Sequence, residues 1–312
     1  MSSPGTVERG AVRTFSALVV ATGLVVSLAA CSSTPAEQAA ACSPQISSGN
    51  ASSAIVTSGK SKPTVDFPTP LVSREMQRTL ETIGDGELLR AGDIAEIQLS
   101  QFDGKDATLI ASTWEQATAA VSGVGADKGL IGELLECTPV GSRIAATVPA
   151  SLFSDGAGED DTAVLTIDVV SGFPGKASGV AQQQQNGLPS IVTAPDGRPG
   201  FTIPSEPAPT ELRTELLQAG SGAKLKKGDT AYLQFTGVNW TAKTVDTSTW
   251  EVGTPLNTTI DSTDVLDQAT GLSLLGVAKE RLIGKRVGSQ VLVVVPTEDD
   301  AIVYVIDILA IK

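Results

Sequence analysis

The sequence predicts an α+β fold built twice: in each copy, one antiparallel β-sheet curls over one short α-helix. Three observations predict it. The phrase "GDIAEIQLSQ" (92–101) returns as "GDTAYLQFTG" (228–237), so the chain repeats itself on the scale of a domain. Alternating and β-branched runs dominate each copy, which is the pattern of strands. Helical spacing is confined to one short stretch among these strands, and runs of strand with a single helix give α+β.

The repeat holds its order along the chain. "GKSKPTVDFPTP" (59–70) answers "DGRPGFTIPSEP" (196–207), and "LETIGDGELLRAGD" (80–93) answers "LLQAGSGAKLKKGD" (216–229). "STWE" stands at 112–115 and again at 248–251, "VGSRIAATVP" (140–149) answers "VGSQVLVVVP" (287–296), and "AVLTIDVV" (163–170) answers "IVYVIDIL" (302–309). The offset is 136 residues at STWE, 147 at VGS and 139 at the last strand, so loops differ while the order holds. A unit this long is a duplicated domain rather than a solenoid repeat.

From the N-terminus, Arg9 and Arg13 precede the uncharged "TFSALVVATGLVVSLAA" (14–30), which runs into Cys31 as "LAAC". This resembles the bacterial lipoprotein signal, which implies cleavage after residue 30, a lipid on Cys31 and a mature chain anchored on the extracytoplasmic face of the membrane. The rival is a transmembrane helix, since a span needs about 17 apolar residues or more. Residues 31–53, rich in Ser, Ala and Thr, read as a flexible tether. The first copy follows at 54–171, a Gly/Gln-rich linker at 172–188 and the second copy at 189–312. Export would leave Cys42 and Cys137 where disulfides persist, so they are either bridged or two buried free thiols.

Within the second copy, "TAYLQFTG" sets Ala231, Leu233 and Phe235 on one side and Tyr232 and Gln234 on the other, a half-buried strand. "VLVVV" (291–295) and "IVYVIDILAI" (302–311) are further strands. "GVAKERLIGKRVGS" (276–289) predicts the short helix, with Leu282 and Ile283 toward the core and Gly284 near its end.

Composition narrows the chemistry. A net charge of −13 argues against nucleic acid, which needs a basic face. It also predicts solubility and little attraction to anionic lipid beyond an anchor. The chain has no His, which removes the commonest general base and metal ligand and leaves any Ser without a triad partner. "GSG" (220–222) lacks the context of a phosphate loop, and "EDD" at 159–161 and 298–300 lacks the spacing and Gly turn of a calcium loop. Neither a metal nor a cofactor is expected.

The ordered set "GSGAKLKKGD…YLQFTG…VDTSTWE…P…G…LIGKRVGSQVLVVVP…IVYVIDILAI" resembles the FKBP-type peptidyl-prolyl cis-trans isomerases, in their exported tandem lipoprotein form. The likeness covers 189–312 well and 54–171 weakly. It implies two tandem FKBP-like domains and a chemistry that needs no nucleophile. An Xaa-Pro bond rotates over a barrier of about 18–20 kcal/mol because rotation breaks amide resonance, and a cleft complementary to the twisted amide lowers it.

The resemblance also implies site residues. Phe235, Asp246 and Tyr304 take the catalytic positions. Val245, Leu256, Leu274, Leu275 and Val277 (or Ala278) take those that hold the proline. Phe235 keeps a ring without a hydroxyl, Leu256 follows the pocket-edge Pro255, and "TEDDA" (297–301) replaces a longer loop that would carry a Tyr. In the first copy the three catalytic positions fall on Leu99, Ile110 and Leu165, so the pocket chemistry is confined to the second. Each residue also has a plainer reading: Phe235 and Tyr304 as core rings, Asp246 as a turn residue, and Trp114 and Trp250 as structural. Trp240 is undecided.

The implied function is a prolyl isomerase and folding helper, monomeric, acting on proline-containing segments of exported proteins. The alternative is an FKBP-like binding or chaperone module without catalysis.

Overall fold

The computed structural model describes residues 42–116, 119–260 and 272–312. The apolar stretch 14–30, Cys31 and the tether as far as residue 41 lie outside them. Among the described residues, no helix is long and apolar enough to cross a membrane.

The structure is mostly antiparallel sheet with few helices. After a single turn α1 (Asn50–Ser53), the first half runs β1 (Val56–Ser58), β2 (Thr64–Asp66), β3 (Gln77–Thr82), β4 (Asp93–Asp103), β5 (Leu109–Ser112), β6 (Ala120–Gly123), α2 (Gly129–Leu135), β7 (Arg143–Pro149) and β8 (Thr162–Pro174). The second half runs β9 (Val180–Ala181), β10 (Ser190–Thr193), β11 (Pro199–Thr202), β12 (Arg213–Ala219), β13 (Thr230–Asn239), β14 (Val245–Ser248), α3 (Thr249–Val252), β15 (Leu256–Thr259), α4 (Leu272–Glu280), β16 (Gln290–Pro296) and β17 (Ala301–Ile311). The first sheet has the order β3-β7-β8-β4-β5, with β6 also paired to β4. The second has the order β14-β13-β17-β16-β12-β9, with β15 also paired to β13.

The inner face of the second sheet packs on α4. Leu233, Phe235, Val291, Val293, Tyr304 and Ile306 meet Leu275 and Ala278 in one core. The first sheet does the same with Ile97, Ile144, Leu165 and Ile167 against Leu134 and Leu135 of α2. Burying each such side chain contributes about 1.5–3 kcal/mol.

Three expectations change in the structure. The helix of the second half is α4, ending at Glu280 rather than starting at 276, because the chain turns through 281–284 to Gly284 at a positive φ of 85°. Leu282 still drops into the core with no exposed surface, but Ile283 is 40% exposed. The strand β13 is buried on both faces, with Tyr232 and Gln234 as hidden as their neighbours. Different groups cover the outer face: Phe173 and Ile94 lie against Tyr232, and a hairpin covers the far end of the strand and its neighbours. The β10–β11 hairpin brings Ile191, with Ile203 just beyond it, over Val294, Val303, Val305 and Trp240, so Trp240 is core, its indole N–H given to the Glu206 carbonyl at 2.9 Å. In the first half the segment after β2 covers Ala145 and Val164 with Phe67 and Leu71.

The segments read as tether and linker are partly built in. Cys42 is bonded to Cys137, with Cα atoms 5.7 Å apart, and Ile46 is buried against the first core. Residues 172–174 complete β8, and β9 extends the second sheet along β12. Ala177 is buried, its N–H bonded to Asp307 Oδ2 at 2.8 Å. A composition rich in Gly and Gln did not foretell this because the ordering partners are distant in sequence.

Candidate functional site

The site is assembled on three adjacent strands. Phe235 on β13 lies opposite Ile306 of β17, and Gly237, two residues on, lies opposite Tyr304. The same Gly237 faces Thr247 of β14 on its other side. Phe235 and Tyr304 therefore share the inner face, with ring centroids 6.3 Å apart at 60°, an edge-to-face pair.

Gly237 gives the tyrosine its path. A Cβ at this position would stand 2.8 Å from Tyr304 Cε1 and 3.2 Å from Cδ1, and 3.2 Å from Thr247 Cγ2. The phenol ring thus crosses β13 at the one inner position without a side chain, and points from β17 toward β14. Asp246 stands on β14, exposed to solvent. Burial of the ring and the negative charge of Asp246 both push the Tyr304 phenol well above its usual range, so the hydroxyl keeps its proton. That hydroxyl has no exposed surface and no hydrogen-bond partner.

The repeated STWE is what locks β14 and α3 to β13. Thr249 Oγ1 accepts the Phe235 N–H at 2.8 Å and donates to Gln234 Oε1, and Ser248 Oγ lies 2.9 Å from Thr236 Oγ1. In the first half, Thr113 Oγ1 accepts the Leu99 N–H at 2.8 Å and donates to Gln98 Oε1, and Ser112 Oγ lies 2.9 Å from Ser100 Oγ. The motif's Thr carries this network. Trp250 instead lines a cleft of about 140 Å³ with Arg198, Gln234 and Ile94.

The remaining candidates divide. Leu275 is buried in the core beside Phe235, while Leu256 and Leu274 are partly buried against the same core. Val245 is 51% exposed, at the rim beside Asp246. Val277 is 40% exposed and Ala278 has no exposed surface, so the helix turns Ala278, not Val277, to the core. In the first half Leu165 is buried, Leu99 packs at the edge of the core and Ile110 is exposed, so no polar group replaces the Tyr304 hydroxyl there.

Sequence reading missed Gly237 and Thr249. A Gly inside a strand pattern does signal close approach of another group, and the Thr conserved between the two copies of STWE was visible in the repeat.

No family model and no curated protein matches the chain. Solved structures similar to it include the three FKBP domains of wheat FKBP73, at 11% identity and a TM-score of 0.31, covering 76% of this chain and 94% of that one. The N-terminal domain of FKBP42 from Arabidopsis thaliana matches at 15% identity and a TM-score of 0.28, covering 36% and 95%. FkpA from Escherichia coli matches at 18% identity and a TM-score of 0.26, covering 39% and 51%.

Proposed function

We propose that this chain is an FKBP-like peptidyl-prolyl cis-trans isomerase of two tandem domains, working through residues 189–312. The observation that carries the reading is the Phe235–Tyr304 ring pair on the inner face of the sheet, with the exposed Asp246 on the edge strand β14 close enough for its charge to act on the phenol. Leu256 and Leu274, only partly buried against the core that holds the two rings, offer apolar surface to a proline ring, and a carboxylate at the rim biases the adjoining amide toward its twisted form. The 54–171 half keeps the scaffold with aliphatic side chains and acts as a spacer or holding surface. The lipoprotein-like N-terminus suggests an anchor at Cys31 and, as partners, proline-containing segments of exported proteins met by a monomer at the membrane surface.

Cis-to-trans turnover of a short chromogenic Xaa-Pro peptide by the full chain tests this. Turnover is expected, with Asp246→Ala lowering kcat/KM by about tenfold or more and leaving the thermal midpoint unchanged. Unchanged turnover in that variant removes this site from the reaction.

A second reading, a holding module without catalysis, is favoured by the first half. Ile110, Leu152 and Phe153 are exposed there at 57%, 51% and 43%. Capture of unfolded chains with no turnover would select it.

A further inference from the structure

Tyr304 presents a donor with nothing to donate to. Its hydroxyl is sealed from solvent and unpaired, although buried polar groups are almost always hydrogen-bonded. The ring could have been phenylalanine at no loss of packing. The second half spends a glycine on it as well, since any side chain at Gly237 would collide with the ring at 2.8 Å. At the corresponding places of the first half, Gln101 faces Leu165, and both the glycine and the hydroxyl are absent. The charge of Asp246, next to Thr247 on β14, acts on the hydroxyl, and among the described residues that carboxylate has no hydrogen-bond or ion-pair partner of its own. An unpaired buried donor on β17 and an exposed, unpaired acceptor on β14 thus flank β13 at Gly237, which faces Tyr304 on one side and Thr247, next to Asp246, on the other.

We infer that Tyr304 is a positioning residue that takes up the Asp246 carboxylate when a proline-containing segment covers the site. In the free chain, water solvates Asp246. A ligand that covers β14 removes this water, and a carboxylate losing hydration gains most from a protein hydrogen bond. The Tyr304 hydroxyl is the donor within the wall, and closing that bond fixes the carboxylate against the twisting amide. No covalent step is involved, and the proton stays on the phenol. The inference rests on the isomerase reading.

The test uses the full chain, the same chromogenic peptide and four proteins: wild type, Tyr304→Phe, Asp246→Asn and the double variant. If Tyr304 acts through Asp246, each single variant loses about tenfold in kcat, and the double loses no more than the worse single. Tyr304→Phe should be as stable as wild type or more so, because it deletes an unpaired buried hydroxyl. The chain has only two tyrosines, so ring-labelled tyrosine resolves both by NMR. The Tyr304 Cζ resonance should shift on adding peptide in wild type and stay still in Asp246→Asn. Wild-type turnover that Tyr304→Phe leaves intact overturns this inference alone. Losses that multiply in the double variant, or a Cζ shift that persists in Asp246→Asn, also overturn it. A wild type with neither turnover nor peptide binding overturns the isomerase reading, and this inference with it.

Discussion

Tyr232 donates its hydroxyl to Glu96, and the two residues are the same position of the repeat, 136 residues apart, on β13 and β4. Around them the two sheets meet with a local two-fold relation. Tyr232 stacks on Phe173 at the end of β8, with centroids 4.9 Å apart, while Glu96 pairs at 2.8 Å with Lys312, just past the end of β17. Phe173 pairs with Ile94, and the Lys312 N–H bonds the Thr230 carbonyl, so these partners also occupy matching places in the two halves. Ser171 Oγ adds a third bond to Glu96 at 2.7 Å.

This junction sets a mutational expectation. Tyr232→Phe keeps the stack and removes one charge-assisted hydrogen bond, which should cost about 1.5–3 kcal/mol, read from urea unfolding. Burial pushes the Glu96 carboxyl up, but the bonds from Lys312, Tyr232 and Ser171 outweigh it and hold it below the usual range. A lowered folded value stabilises above the unfolded pKa. The contribution is therefore lost as pH falls below the ordinary carboxylate range, and Glu96→Gln should flatten the acid side of the stability curve.

Asp307 has the opposite sign. It is 2% exposed, and burial raises its carboxyl to about 6 despite bonds from the Ala177 N–H and Gln290 Nε2. The corresponding pair in the first half is Asp168 with Arg143, at 2.7 Å, so the second half has exchanged a guanidinium for an amide. A raised folded pKa stabilises below the unfolded value and is lost as pH rises through the folded one. Wild type should therefore lose stability relative to Asp307→Asn between about pH 4 and 6, by on the order of 1–3 kcal/mol, measured as the difference between two denaturation series.

Gly237→Ala tests the path of the phenol ring. The new methyl group meets Tyr304 at 2.8 Å, so ring or strand must move. A cost of about 1–3 kcal/mol is expected, together with lower peptide turnover. Pairing it with Tyr304→Leu should recover most of the stability and none of the turnover.

The Cys42–Cys137 bond closes a loop with a sequence separation of 95. Replacing both cysteines with serine should cost about 2–4 kcal/mol, and should free the segment around Ile46 for proteolysis before the sheets open. Limited digestion with and without reductant reads this directly.

The sequence by itself determined what is local or repeated. Alternation in "TAYLQFTG" marked a strand with Ala231, Leu233 and Phe235 inward, because side-chain direction along a strand has period two whatever surrounds it. The doubled phrases marked equivalent positions, because one pattern folded twice gives one set of contacts twice, down to the Thr113 and Thr249 bonds. Tertiary structure decided what covers each face. The burial of Tyr232 depends on Phe173 and Glu96, and that of Trp240 on a hairpin that starts 50 residues earlier at Ser190. It also decided that Ala278 rather than Val277 turns inward, since the helix phase is set by packing on the sheet. Gly237, Tyr304 and Asp246 lie on three strands whose pairing brings one phenol across one glycine toward one carboxylate. That relation belongs to the register between strands, and no window of sequence contains it.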